Sequence, residues 1–317
     1  MNKLVKTGVV GSGRMGEFHV LNLAEILDVE LVAVTDINPE KEKVAKRYKS
    51  DFYTDYKELY GKVDAVSIAV PTALHFETTK NFLEHGIHVL LEKPIAPTLQ
   101  EAEELFKIAN KNKCILQVGH LERFNGAVQE VYKILDTPLF IESRRMGPYE
   151  PRVKNDCVVL DLMIHDLDII LNLIDEDVIE LNATGGSVFS ERTDYAMVTM
   201  KFKSGCIATL LASRATQNKI RTMSISQKES YVFLDYTDQD IHIHRRASSH
   251  HTLTPDTLKY QQESIIERIF VHKENALKLQ LKNFTGRVRE GFKPLNPEKE
   301  VRSIKLALEI RNQIEGR

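Results

Sequence analysis

Apolar and polar positions follow one pattern over the first third of the chain. Runs that are apolar at nearly every position, such as 63–70 and 89–91, are typical of strands buried on both faces. Between them lie segments with apolar residues at helical spacing, such as 74–85 and 99–110. This alternation up to about residue 120 predicts a parallel, doubly wound sheet.

The pattern changes after Phe124. An amphipathic helix is predicted at 159–174, and apolar residues then recur at every second position, as in 196–202. Strands are predicted at roughly 178–188, 195–203, 206–214, 219–227, 231–236 and 241–246. Strands with one apolar face predict a large, mostly antiparallel open sheet, and that face needs a cover. Candidate covers are the helix at 160–174, a predicted helix at 258–283 and a second subunit.

A glycine-rich turn joins the first predicted strand to the first predicted helix. The turn reads Gly11-Ser12-Gly13-Arg14-Met15-Gly16. Glycines at this spacing and place are typical of a dinucleotide-binding fingerprint, which puts the pyrophosphate at the helix N-terminus. Asp36 follows Gly16 by twenty residues, where a carboxylate would bind the ribose hydroxyls. Since residues 37 and 38 are not basic and cannot bind a 2′-phosphate, NAD is favoured over NADP. The alternative interpretation of the glycines is an ordinary strand-to-helix turn that binds no dinucleotide.

We therefore predict an α/β fold with an N-terminal Rossmann domain at 1–122. A C-terminal α+β domain at 123–317 would bind substrate and form oligomers. The last predicted helix, 297–314, could pack on either domain.

Two further strand ends carry candidate chemistry. Ligands bind at the carboxyl edge of such sheets, and Pro71, Thr72 and His75 follow one strand while Glu92 and Lys93 follow another. A lysine there can bind a substrate hydroxyl and stabilise developing alkoxide charge. The alternative is a lysine that caps a strand end on the surface.

The helix at 159–174 carries a second candidate group. Asp161, His165 and Asp168 follow the i, i+4, i+7 spacing of one helix face. A histidine between two carboxylates is a plausible proton acceptor, because its ordinary pKa lies near neutrality. The alternative is a histidine on a solvated face. Lys93 and His165 make a sharper hypothesis together, because one domain would supply each.

Other polar residues are candidate ligands for an anion or a metal ion. Arginines suit a diphosphate or a carboxylate, although they are also common at solvated strand edges; those near the domain junction are Arg123, Arg144, Arg145 and Arg152. No metal site is predicted, because the histidine-containing pairs lack further ligands at matching spacing. Those pairs are His120 with Glu122, His242 with His244, and His250 with His251.

Composition limits the remaining choices. The chain of 317 residues has 43 basic and 45 acidic side chains, so neither nucleic acid nor a membrane surface is an expected partner. Three widely spaced cysteines, Cys114, Cys157 and Cys206, are typical of core residues in a reducing compartment. No signal peptide and no long apolar run is recognised, and a cytoplasmic location is expected.

Four motifs in the same order resemble the Gfo/Idh/MocA family of oxidoreductases. They are Gly11–Gly16, 70–75, Glu92-Lys93-Pro94 and 161–168. The resemblance implies a Rossmann domain, a C-terminal sheet used in oligomer contacts, and NAD(P)-dependent oxidation of a sugar or cyclitol hydroxyl. It also implies that Lys93, Asp161 and His165 are catalytic, with His165 as the base.

A narrower resemblance is to the UDP-N-acetylglucosamine 3-dehydrogenase branch. It rests on the segments 119–125, 144–148 and 232–236. It implies a UDP-sugar substrate contacted by His120, Arg123, Arg144 and Arg152, and a 3-keto product that an aminotransferase partner could use. Two alternatives stay open: a dehydrogenase of a free polyol such as an inositol, and a non-catalytic dinucleotide-binding sensor.

Overall fold

The computed structural model describes residues 4–151, 156–254, 257–294 and 296–316. The chain divides into two compact units. The first unit comprises Met1–Phe124 and Glu274–Leu308, and the second comprises Asn125–Lys273 and Glu309–Arg317.

The helices and strands of the described residues have the following bounds. The α-helices are α1 (Arg14–Ala24), α2 (Glu42–Arg47), α3 (His75–Glu84), α4 (Leu99–Lys111), α5 (Gly126–Ile134), α6 (Ile164–Leu173), α7 (Ala276–Glu290) and α8 (Pro297–Glu315). The strands are β1 (Val5–Val10), β2 (Val29–Thr35), β3 (Asp51–Tyr53), β4 (Ala65–Ile68), β5 (His88–Leu91), β6 (Leu116–Val118), β7 (Pro138–Met146), β8 (Val178–Gly186), β9 (Tyr195–Phe202), β10 (Ile207–Ser213), β11 (Ile220–Gln227), β12 (Ser230–Asp235), β13 (Asp240–Thr254) and β14 (Thr257–Ile269).

The first unit contains a parallel sheet in the order β3-β2-β1-β4-β5-β6. Its central strands are buried on both faces: every residue of β4 is buried, as is every residue of β1 except Lys6. The strand order reverses between β1 and β4, which is the topological switch point of the sheet. Sheets of this kind bind ligands at the carboxyl ends of the two strands that flank this point. This unit confirms the predicted Rossmann sheet.

Helix α7 belongs to the first unit, which corrects two predictions. Its apolar residues Leu277, Leu281 and Phe284 are buried in the same core as Val9 of β1 and Leu23 of α1. Because this stripe needs the Rossmann core for its burial, Glu274–Leu308 joins the first unit rather than the predicted C-terminal domain. The helix predicted at 258–283 is also wrong in its first part, because Thr257–Ile269 forms β14.

The second unit contains a sheet in the order β14-β13-β12-β11-β7-β10-β9-β8. Only the pairing of β7 with β10 is parallel among its described pairings. The mostly antiparallel sheet was predicted, but the sequence analysis missed β7, the strand in fourth place from the β8 edge. Its alternating pattern ends in Arg144 and Arg145, which were interpreted as a charged junction.

The two faces of this sheet differ. On the inner face, β9 buries Ala196, Val198 and Met200. On the neighbouring strands, β10 contacts the turn Val159–Met163, and Arg145 of β7 pairs with Asp166 of α6. The predicted cover by this helix is therefore confirmed. The outer face exposes apolar side chains, among them Tyr195, Met197, Ile207 and Tyr231.

Candidate active site

The glycine turn follows β1 and shapes the start of α1. Gly11 has φ +85°, a left-handed conformation that favours glycine, and a Cβ there would lie 2.8 Å from the Ala69 carbonyl oxygen. A Cβ on Gly16 would collide with the carbonyl group of Gly11. At Gly13, by contrast, a Cβ would meet no described atom within 4 Å. Two glycines thus close the turn, and the middle one leaves open space beside the first turn of α1.

Asp36 lies directly after β2 and contacts the same turn. Its Oδ2 accepts hydrogen bonds from the backbone N–H of Ser12 at 2.7 Å and from the Ser12 hydroxyl at 3.0 Å, while its Oδ1 accepts one from the N–H of Asn38 at 2.9 Å. The next side chain, Ile37, is 90% exposed. The carboxylate is therefore fixed beside the open space at Gly13.

These residues fit a dinucleotide. The open space at Gly13 admits a phosphate close to the backbone, and α1 directs the N–H groups of its first turn, which begins with Arg14 and Met15, toward it. The Asp36 carboxylate has further lone pairs for ribose hydroxyls.

The loop after β4 is tied to the turn after β5 through His75. Pro71 precedes a short 3-10 turn over Thr72–Leu74, and α3 begins at His75. The His75 ring is buried, with Nδ1 2.8 Å from the Pro94 carbonyl oxygen and Nε2 2.9 Å from the Val70 carbonyl oxygen. Burial lowers the pKa of His75, although these carbonyls oppose the shift. His75 therefore holds the loop that carries Pro71 and Thr72.

Glu92 connects the end of β5 to α1. Its Oε1 lies 3.0 Å from Nε2 of His19, and the other His19 ring nitrogen, Nδ1, lies 2.5 Å from the Ser67 hydroxyl. His19 and Ser67 are buried, and Lys93 directly after Glu92 is partly exposed. Neither His19 nor Ser67 was among the predicted site residues. His19 follows Gly16 by three residues, so helical spacing puts it on the face that packs on the sheet, and that signal could have found it.

His120 and Arg123 lie in the first unit after β6. His120 is buried, with Nε2 3.4 Å from the Ser303 hydroxyl of α8. Arg123 pairs with Glu300 of the same helix at 3.5 Å. These contacts anchor α8 to the turn after β6, and a substrate role for either residue stays a prediction.

Asp161 and His165 lie in the second unit, on a helix that is less regular than predicted. Residues Val159–Met163 form a π-helical turn, and α6 begins only at Ile164. The wider turn disturbs the predicted i, i+4, i+7 column. Asp161 and His165 are both partly exposed, whereas Asp168 is buried. The π-helical turn contains Asp161, whereas His165 and Asp168 both lie in α6 at i, i+3 spacing, so the shared face of the three residues stays a prediction.

A buried ion pair fixes this helix to the sheet. Arg145 of β7 contacts Asp166, with Nε 2.9 Å from Oδ2 and Nη2 2.9 Å from Oδ1, and its guanidinium lies 5.0 Å from the centre of the Tyr236 ring. Asp166 follows His165 directly, so this two-point contact sets the position of the residue next to the candidate base.

The structure does not bring Arg144 together with His165. Because successive strand residues point to opposite faces, Arg144 projects from the outer face, where it pairs with Glu142 at 2.7 Å, while Arg145 faces the helix. The prediction that Arg144 binds the same substrate as His165 thus lacks support within this unit. Arg152 lies outside the described residues, so its predicted role stays untested.

Two other predictions concern absences. Among the described residues, no group of three or more His, Cys, Asp or Glu side chains could hold a metal ion. The described helices also include none with the length and hydropathy of a membrane span.

The glycine turn, Asp36 and the Rossmann sheet together define the dinucleotide-binding half of an oxidoreductase. Two family models match the chain: "Oxidoreductase family, NAD-binding Rossmann fold" over residues 5–120, and the "GFO/IDH/MocA C-terminal domain" over residues 137–231. The chain belongs to the GFO/IDH/MocA oxidoreductase family, as the resemblance in the sequence predicted.

Relatives within this family act on different hydroxyl compounds. UDP-N-acetylglucosamine 3-dehydrogenase of Acidithiobacillus ferrooxidans is 32% identical over 77% of this chain and 78% of its own. An inositol 2-dehydrogenase/D-chiro-inositol 3-dehydrogenase of Lacticaseibacillus casei is 28% identical over 68% of this chain and 67% of its own.

Solved structures share the whole fold. A structure of the Acidithiobacillus ferrooxidans enzyme superposes with a TM-score of 0.89 at 29% identity and covers 98% of both chains. The scyllo-inositol dehydrogenase of Lactobacillus casei with bound NAD(H) and scyllo-inositol gives a TM-score of 0.80 at 18% identity, over 99% of this chain and 98% of its own. At that identity the second likeness shows the fold alone.

Proposed function

We propose that this protein oxidises the C3 hydroxyl of a UDP-N-acetylhexosamine, UDP-N-acetylglucosamine above all, to the 3-keto sugar. The observation that carries the proposal is the 32% identity to a UDP-N-acetylglucosamine 3-dehydrogenase. The presence of Lys93, Asp161 and His165 at the positions that the family motifs predict supports it further.

The proposed chemistry removes a hydride from carbon and a proton from oxygen, so that a carbonyl group forms. A dinucleotide held by the glycine turn and Asp36 would supply the hydride acceptor. His165 takes the hydroxyl proton on a ring nitrogen, and Asp161 orients that hydroxyl. Lys93 donates a hydrogen bond to the same oxygen and stabilises the negative charge that develops on it.

Asp36 supports a preference for NAD over NADP. Its carboxylate is fixed by Ser12 and Asn38, so a 2′-phosphate placed against it would meet like charge, and the exposed Ile37 next to it offers no cation. Replacement of Asp36 by Ser should lower the ratio of NAD to NADP affinity at least about tenfold, because a factor of ten needs only about 1.4 kcal/mol. Equal affinities for both dinucleotides in the unmodified protein would contradict the preference.

The activity test is the absorbance of NADH on mixing the protein with NAD and UDP-N-acetylglucosamine, with myo-inositol in a parallel sample. We expect a rise with the nucleotide sugar alone, and loss of that rise with retained NAD binding in Lys93→Ala and in His165→Ala. A rise with inositol alone would replace the proposed substrate by a free polyol, the alternative that the inositol dehydrogenases among the relatives favour. Stabilisation against heat by UDP would separate the two, since only a nucleotide-sugar enzyme should bind it.

Two further proposals concern the reaction that follows and the location of the protein. The first is that an aminotransferase acts next and uses the carbonyl group of the 3-keto product. We also propose a cytoplasmic location, because the three buried cysteines are free, as is typical of a reducing compartment. Localisation by fractionation of the source cells tests the second of these.

A further inference from the structure

A chain of three side chains, His19 and Ser67 buried and Glu92 partly exposed, joins the dinucleotide helix to the strand end that carries Lys93. Ser67 of β4 contacts Nδ1 of His19 on α1, and Nε2 of His19 contacts Oε1 of Glu92 at 3.0 Å. His19 is 0% exposed and Ser67 is 2% exposed. A largely buried polar chain of this kind fixes its members to one arrangement when each has a partner.

The carboxylate of Glu92 is held from several sides. Burial raises the pKa of Glu92, but the hydrogen bond and the charge of His19, the charge of Lys93 and the Lys93 backbone N–H together hold that pKa below its ordinary value. Since an ionised carboxylate only accepts hydrogen bonds, Nε2 of His19 carries the proton between them. The other ring nitrogen of His19, Nδ1, lies 2.5 Å from the Ser67 hydroxyl.

Glu92 has little freedom to move away from this contact. A Cβ on Gly119, next to β6, would lie 3.0 Å from Oε1 of Glu92 and 3.1 Å from its Cα, so the glycine lets β6 approach the carboxylate closely. Burial lowers the pKa of His75, and the charge of Glu92 opposes that shift. The His75 ring is hydrogen-bonded to the carbonyl of Pro94, in the turn that follows β5. These neighbours therefore restrict the position of the Glu92 side chain, and Lys93 is the next residue in the chain.

We propose that His19 is a positioning residue that acts through Glu92 to hold Lys93 in its working place. The inference rests on the proposed role of Lys93 in binding the reacting oxygen. His19 stands on the helix whose N-terminus binds the dinucleotide, so it links the place of Lys93 to the place of the cofactor. Ser67 orients the His19 ring. Glu92, fixed by its contact with His19, restricts the position of the adjacent Lys93.

Two replacements of His19 separate positioning from simple loss of packing. The side-chain amide of Gln can place a donor near the former Nε2 and keep the contact with Glu92, whereas that of Asn reaches only the former Nδ1 and keeps the contact with Ser67. We expect kcat to fall roughly 10- to 100-fold in His19→Asn, because small displacements of a reacting group have such effects. His19→Gln should retain kcat within a few-fold, and KM for NAD should change little in either variant.

A second measurement does not depend on turnover. An amine-reactive ester labels the lysines of the folded protein, and peptide mass spectrometry compares Lys93 with the exposed Lys43 and Lys46 as internal references. Labelling of Lys93 should rise several-fold in His19→Asn and in Glu92→Gln, since both changes disrupt the contact between Nε2 of His19 and the Glu92 carboxylate that fixes the strand end before Lys93. It should stay at the unmodified level in His19→Gln.

Each outcome decides one of the two proposals. Equal labelling of Lys93 in the Asn and Gln variants, or equal loss of kcat in both, would overturn the positioning role of His19. A protein that fails to reduce NAD with UDP-N-acetylglucosamine, but shows the expected labelling difference, would contradict the proposed substrate and leave His19 in its role.

Discussion

Gly16 and Gly13 lie in one turn but have different surroundings. Replacement of Gly16 by Ala drives a methyl group into the Gly11 carbonyl, and overpacking of this kind costs about 1–3 kcal/mol of the free energy of unfolding. Ala at Gly13 meets open space, so the unliganded protein should keep its stability. It should nevertheless bind NAD more weakly, because the methyl group occupies the place that the pyrophosphate approaches.

Thermal unfolding with and without NAD checks both glycines. The expected result is a lower melting temperature without NAD in Gly16→Ala alone, and a smaller stabilisation by NAD in both variants. A Gly13→Ala protein that NAD stabilises as well as the unmodified protein would place the pyrophosphate elsewhere.

The helix that carries His165 depends on the buried pair of Arg145 and Asp166. Replacement of Arg145 by Leu leaves the Asp166 carboxylate buried without its partner and should cost about 3–5 kcal/mol. Arg144→Leu is the matched control, because the neighbouring residue forms only an exposed pair with Glu142, of a kind worth about 0–1 kcal/mol. Urea unfolding measures both. Replacement of both Arg145 and Asp166 by Leu should recover part of the loss, and a further loss would contradict the explanation.

The turn between β8 and β9 is organised by Asp194. Its carboxylate accepts hydrogen bonds from the N–H groups of Val188, Phe189 and Ser190 and from Nε of Arg214. Burial raises the pKa of Asp194, but the hydrogen bonds from Val188, Phe189 and Ser190 outweigh it and lower the pKa from the ordinary 3.8 to about 2. Because the folded pKa is depressed, the stabilisation is present above pH 4 and is lost as the pH falls through about 2.

Asp194→Asn tests this pH dependence. The variant should be about 2 kcal/mol less stable at neutral pH, and the gap to the unmodified protein should narrow as the pH falls from about 4 to about 2. Urea unfolding across this range gives the gap, with the exposed Asp28→Asn as the control. A gap that stays constant over the whole range would show that the carboxylate charge does not stabilise the turn.

The elements of the first unit could be predicted because their signals are local. Buried runs mark β4 and β5, and glycines mark the start of α1. β14 was mistaken for a helix, since its register with β13 depends on pairing between strands, as between Ile241 and Ile269. The start of α7 had a local signal that was overlooked: the Asn275 side chain accepts hydrogen bonds from the N–H groups of Leu277 and Lys278.

Only part of the candidate site could be predicted from the sequence. Residues at strand ends, such as Asp36 and Lys93, follow from the order of strands, because parallel strands place their carboxyl ends at one edge. The contact of His19 with Glu92 joins residues 73 positions apart, and no spacing within either segment encodes it. The π-helical turn before α6 was equally hidden, since an amphipathic pattern does not distinguish it from an α-helical turn.

At the scale of the whole molecule, the outer face of the eight-stranded sheet is the proposed oligomer contact. Ile207 pairs with Phe140 across β10 and β7, and Tyr231 lies two strands further along the same row. If this face forms the proposed contact between subunits, replacement of Ile207 by Glu should lower the mass of the particle in solution, because a charge buried in an apolar contact is costly. Leu27→Glu is the control, as this 94% exposed residue lies in the first unit. Sedimentation velocity measures the mass, and an Ile207→Glu protein with the mass of the unmodified protein would place the contact elsewhere.

The membership of α7 in the first unit bears on how the protein is made. A ribosome releases the chain from its N-terminus, so β1 to β6 emerge while Leu277, Leu281 and Phe284 are still unsynthesised. The apolar surface of the nascent Rossmann sheet that α7 covers in the finished protein is then exposed to solvent and to other proteins. Completion of the dinucleotide-binding unit thus waits for synthesis of the second unit, and a chain interrupted before residue 274 would be a substrate for chaperones and proteases.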